Sequence, residues 1–149
     1  MLTLLVIVGL SAGLFVGVRH WLYTRPIDWI PLTTKALDQE VGGSSPIVVF
    51  VGADWDVNSI LVKEVTFQDS RLKQMFRRRA VIAFYGDWTS NASPEVLSLL
   101  NRVKRRSTPT VVVYPPDGLS PQVFDGLVSP EQVMRAIDPS LTFNEDQGR

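Results

Sequence analysis

Three continuous apolar runs constrain this chain more than any other feature: IVVFV at 47–51, AVIAFY at 80–85 and TVVVY at 110–114. A strand with one wet face alternates apolar and polar residues, whereas an unbroken β-branched and aromatic run belongs to a strand covered on both faces. The segments between the runs carry helical signals. Thr34 is placed to cap a short helix through Glu40, with Gly42-Gly43-Ser44-Ser45-Pro46 ending it in a loop. A helix is expected from about Asp56 to Val65, and a second from an Asp69 N-cap to Arg78. Ser93-Pro94-Glu95 opens a third, running to about Val103, and Ser129-Pro130-Glu131-Gln132 opens the last, with a residue at N3 able to close a capping box. PPDG at 115–118 predicts a tight turn leading to a short paired strand at Gln122–Phe124, and Asp28–Leu32 predicts a connector or short edge strand. Strands alternating with helices and ending in a hairpin predict an α/β fold, a central mixed sheet with helices on both faces.

The N-terminus is of another kind. Residues 1–18 carry no charged side chain, and with residues 20–23 they are long enough to cross a hydrocarbon core of about 30 Å. Residues 1–24 therefore read as a single transmembrane helix, a signal anchor. No basic n-region or A-x-A-like site supports a cleaved signal peptide. Residues 25–46 form a connector with the first short elements, 47–138 the core, and 139–149 a flexible tail. Trp21, Tyr23 and Trp29 suit an interfacial aromatic belt. Arg19 and Arg25 follow the span, and the positive-inside rule would place the domain on the cytoplasmic side.

Composition excludes several chemistries. Cysteine is absent and His20 is the only histidine, which removes disulfides, thiolate nucleophiles, cysteine zinc sites and a Ser-His-Asp triad. No cofactor or metal is expected. The formal net charge is zero, so no global basic surface invites nucleic acid. Two local basic runs stand out: Arg77, Arg78 and Arg79, and Arg102, Lys104, Arg105 and Arg106. Each closes an expected helix, where cations complement the macrodipole. The sharper reading is one shared patch touching anionic lipid headgroups.

Four short words in order carry a resemblance: Ala53-Asp54-Trp55, Thr66-Phe67-Gln68-Asp69, Asp87-Trp88-Thr89, and Thr108-Pro109-Thr110 before TVVVY and PPDG. Over residues 30–137 the chain resembles the thioredoxin-like family, and within it the C-terminal domain of the thiol:disulfide interchange protein DsbD and its relatives. The resemblance implies a thioredoxin fold, a cis-proline at Pro109 and, against the two arginines, the extracytoplasmic side of a bacterial cell membrane. It also matches Asp56 and Ser59 to the family's two cysteines. Disulfide exchange needs an attacking thiolate and a resolving thiol, and a carboxylate and a hydroxyl supply neither. Asp56 suits a helix cap, with Ser59 a solvated first-turn residue; a polar ligand site is the other reading, although Ser59 has no histidine as a general base. Trp55, Trp88, Thr108 and Pro109 form a candidate peptide-binding rim, against readings in which Trp88 and Trp55 fill a core edge and Pro109 only shapes its loop. The expected function is a membrane-anchored, redox-inactive module that binds a protein or peptide or acts as a scaffold. The alternative is an enzyme related to thiol oxidoreductases that works with a partner's cysteine.

Overall fold

The computed structural model describes residues 25–118 and 120–142. The expected membrane helix at 1–24 and the tail beyond 142 lie outside the described residues. Among the described residues, no helix is long and apolar enough to cross a membrane.

Five strands form one mixed sheet in the order β1-β3-β2-β4-β5. The strands are β1 (Ile30–Pro31), β2 (Ile47–Gly52), β3 (Ile82–Asp87), β4 (Thr110–Tyr114) and β5 (Gln122–Asp125). β1 and β2 flank β3 in parallel, β4 runs antiparallel to β2, and β5 antiparallel to β4. The helices are α1 (Thr34–Glu40), α2 (Val57–Leu61), α3 (Ser70–Arg78), α4 (Pro94–Arg102) and α5 (Pro130–Ile137).

The apolar runs now have a physical account. Successive side chains on a strand point to opposite faces, so Val48 and Phe50 enter one core while Ile47, Val49 and Val51 enter the other. The first core is closed by α2, α3 and α5 through Val62, Leu72, Phe76, Val133 and Ile137. The second is closed by α1 and α4 through Leu37, Val96, Leu99 and Leu100. Both faces are covered, and every residue of β2 is buried.

Several boundaries differ from expectation. The cap of α1 is Thr33, whose hydroxyl accepts from the Ala36 N–H at 3.1 Å, so Thr34 is the first helical residue. Strand β3 begins at Ile82, because Ala80 and Val81 finish the preceding helix. Ala80 takes φ +48°, and the Val81 and Ala80 N–H groups donate back to the Phe76 and Arg77 carbonyls at 2.8 and 3.3 Å. That is a Schellman stop with alanine in the left-handed position usually held by glycine. Lys104 (φ +57°) closes α4 the same way, the Arg105 N–H reaching the Leu100 carbonyl. Helix α2 widens into a π-helical segment at Val62–Thr66, and PPDG contains a 3₁₀ turn, Pro116–Gly118. Trp29, half-buried, packs on the first core: its ring lies edge-on against Phe67 at 4.9 Å and 6.0 Å from Phe50.

Candidate functional site

The site forms where β2 ends and α2 begins. Asp56 is the N-cap of α2; its carboxylate accepts from the Asn58 and Ser59 N–H groups, each at 3.2 Å. The helix needs such an acceptor because its first N–H groups have no intrahelical partner. Ser59 is buried, 3% exposed, which corrects its reading as a solvated residue. Its hydroxyl donates to Asp56 Oδ2 at 2.6 Å and lies 2.9 Å from Thr108 Oγ1. Thr108 Oγ1 in turn donates to the Val51 carbonyl at 3.2 Å. Two hydroxyl protons thus serve three contacts, and either hydroxyl can be the donor between Ser59 and Thr108. The Thr108–Pro109 peptide bond is cis, and Pro109 is buried.

A second set of bonds interlocks two words that lie far apart in sequence. The Asp87 carboxylate accepts from the Thr89 N–H and hydroxyl, and Thr89 Oγ1 accepts from the Asp54 N–H at 3.1 Å. The indole N–H of Trp55 donates to the carbonyls of Trp88 and Thr89, at 3.3 and 3.0 Å. Trp55 is anchored at its polar edge while 62% of it faces solvent. Trp88 is half-buried and packs on the second core, so its contribution beside Trp55 is a backbone carbonyl rather than an exposed ring.

The exposed apolar surface extends further than the sequence reading placed it. Val57 (68% exposed), Leu61 and Val65 (61%) recur every fourth residue through α2 and the π segment, on the side away from buried Ser59, Val62 and Thr66. Leu127, 62% exposed, stands in the loop after β5. Two bonds set that loop: the Gly126 N–H donates to the Pro109 carbonyl at 3.0 Å, and the buried Thr66 hydroxyl donates to the Val128 carbonyl at 2.6 Å. The result is an apolar groove of about 400 Å³ between α2 and the start of α5, walled by Leu61, Val65, Leu127, Val128 and Pro130. The 57/61/65 spacing was the signal in the sequence. It does not distinguish a partner-free stripe from a core stripe, which look alike in one dimension.

Behind Ser59, a pocket of about 70 Å³ is lined by Phe50, Ala53, Asp54, Lys63 and Tyr85. Burial pushes the Tyr85 phenol up to about 12, helped by the negative charges of Asp87 and Asp54. Among the described residues, no cluster of three or more histidine or acidic side chains could hold a metal ion.

The seven basic residues do not make one surface. Arg77, Arg78 and Arg79 close α3, which covers the first core, whereas Arg102 closes α4 over the second. Arg102 pairs with Asp38 at 2.6 Å, Arg105 with Asp125 and Arg79 with Asp138.

Comparison with solved structures decides the fold. A chloroplastic thioredoxin z superposes with a TM-score of 0.54 at 16% identity, covering 76% of this chain and 94% of that one. A chain from the yeast mitochondrial 1-Cys peroxiredoxin and its glutathione/thioredoxin resolving system gives 0.57 at 16% identity, covering 75% and 95%. The fold is thioredoxin-like. No family model matches the chain, and no curated protein matches it. The thioredoxin-like fold here lacks cysteine entirely, and the Asp56–Ser59–Thr108 network is closed upon itself.

Proposed function

We propose that this chain is a membrane-tethered, redox-inactive thioredoxin-like module that holds an extended apolar segment of a partner protein beside Trp55 and Pro109. The observation that carries this reading is the exposed pair Leu61 and Val65 lining one groove with Leu127, with exposed Val57 continuing the stripe one turn earlier. Contiguous exposed apolar surface on a soluble face marks an interaction site, and an anchored tryptophan is a favoured contact at such sites. Thr108 lies two residues before β4, whose ladder begins at the Val51–Thr110 pair. Its peptide group therefore stands outside the sheet register, where an extended chain can pair with it. Asp56, Ser59 and Thr108 are committed to one another, and their role is to fix the start of α2 against the segment before β4.

The four shared words support a relation to the C-terminal domain of DsbD in which the thiols have been replaced. That relation favours an extracytoplasmic domain, with residues 1–24 as the anchor.

The test is selection from a displayed library of extended peptides on the full chain, followed by titration of the winners. Apolar peptides that lose about tenfold in affinity with Trp55→Ala or Val65→Ser, and nothing with Lys35→Ala on α1, support the groove. Failure to enrich apolar sequences, or equal losses at all three positions, refutes it.

A further inference from the structure

A basic cleft lies at the opposite end of the sheet from the groove, where the chain enters the domain. β1 runs parallel to β3, so the residues before Ile30 approach from the end at which β3 begins. There the Arg77 guanidinium donates to the Arg25 carbonyl at 3.3 Å. Arg25, Asp28, Lys73 and Arg77 line a cleft of about 270 Å³ floored by Phe76 and Ala83. Its lining holds three cations and one carboxylate; Lys73 is buried and donates to Gln68 Oε1 at 3.2 Å, which leaves Arg25 and Arg77 as the cations at the surface. Arg78, one residue on at the same end of α3, is exposed, lines a separate cleft toward α5 and has no acidic partner among the described residues. This separates it from the second basic run, where Arg102 and Arg105 are each matched by an aspartate.

The uncharged residues 1–18 end seven positions before Arg25, a reach of at most about 25 Å. We infer that the face formed by Arg25, Arg77 and Arg78 docks on anionic lipid headgroups of the membrane holding residues 1–24. The inference rests on the tether proposed above. Guanidinium groups suit the phosphate oxygens of such headgroups, and the short connection keeps the face within about three Debye lengths of them at full extension. Ile47–Ile82 and Gly52–Asp87 mark the two ends of the β2–β3 ladder, about 17 Å apart at the usual rise per residue. Docking at the first end presents the groove at the second end away from the bilayer, open to a partner's extended segment.

Because the chain has no cysteine, Ser44→Cys and Asn58→Cys each create a single labelling site, near opposite ends of β2. The full chain, carrying a donor dye at one position, is reconstituted into phosphatidylcholine vesicles with a headgroup acceptor, with or without phosphatidylglycerol. Energy transfer is expected to be greater from position 44 than from position 58, and to rise at position 44 with phosphatidylglycerol. Each basic residue near such a surface is worth about a fivefold shift, so Arg77→Ala with Arg78→Ala should lower the docked-to-free ratio by roughly thirtyfold. Arg77→Lys with Arg78→Lys should retain the lipid dependence, which separates charge from misfolding. Equal transfer from the two positions, or indifference to phosphatidylglycerol or to charge removal, overturns the inference. Flotation with plain phosphatidylcholine vesicles reads the tether separately. A chain that floats but whose energy transfer does not respond to phosphatidylglycerol defeats the docking face alone, and a chain that does not float defeats both. Peptide affinity in detergent should be unchanged by the double alanine variant, so failure of the groove shows independently.

Discussion

Replacing Asp56 by alanine removes three hydrogen bonds at once: those from the Asn58 and Ser59 N–H groups and the 2.6 Å bond from the Ser59 hydroxyl. Loss of a helix cap costs about 1 kcal/mol. Loss of a charged acceptor for a buried hydroxyl costs a further 1 kcal/mol or so, held to that level because Ser59 keeps Thr108 at 2.9 Å. The sum, about 2 kcal/mol, lowers the melting temperature by roughly 8 °C for a domain of this size. Asp56→Asn keeps an acceptor for the backbone and should lose about half as much. Ser59→Ala should cost about 1 kcal/mol. The double variant Asp56→Ala with Ser59→Ala should cost less than the sum of the singles, since both delete the same bond. Thermal and urea unfolding of the full chain in mild detergent, followed by circular dichroism, reads all four variants. A change below about 0.5 kcal/mol for Asp56→Ala, or strict additivity of the pair, would refute the closed network and return Asp56 to solvent.

Other substitutions probe the surrounding frame. Thr66→Val leaves the Val128 carbonyl without its donor and should lower unfolding free energy by about 1–2 kcal/mol in the same denaturation assay. Ala80→Gly relieves the left-handed backbone at φ +48° and should stabilise the chain by up to about 1 kcal/mol, measured as a raised urea midpoint. Burial opposes ionisation of Asp69, but the Arg71 guanidinium and the Leu72 and Arg71 N–H groups outweigh it and hold its carboxyl below the usual range. The Glu131 carboxyl is likewise depressed, first by its own backbone N–H and, against burial, by Arg71 and Ser129. Depressed folded values mean stability that is present above the unfolded carboxyl values near pH 4 and lost as pH falls through the folded ones. Arg71→Met should raise both carboxyl midpoints in an NMR titration and flatten the acid limb of the stability profile.

The α/β class and its main elements could be read from the sequence because they rest on local rules. Strand β2 follows from an unbroken apolar run, and the caps at Asp69, Ser93 and Ser129 follow from residue type and spacing. The absence of thiol chemistry follows from composition alone. Boundaries failed where one residue serves two elements, as Ala80 does in ending α3 ahead of β3. What only the tertiary structure decided is which side chains share a place. Ser59 is buried because Thr108, forty-nine residues on, lies over it. Trp88 turns into the second core while its carbonyl holds Trp55. Val57, Leu61 and Val65 face outward with Leu127, and the two basic runs fall on opposite faces of the sheet. Periodicity reports that a helix has an apolar stripe but not what stands opposite it, because burial depends on contacts far apart in the chain and forms only when the sheet is assembled.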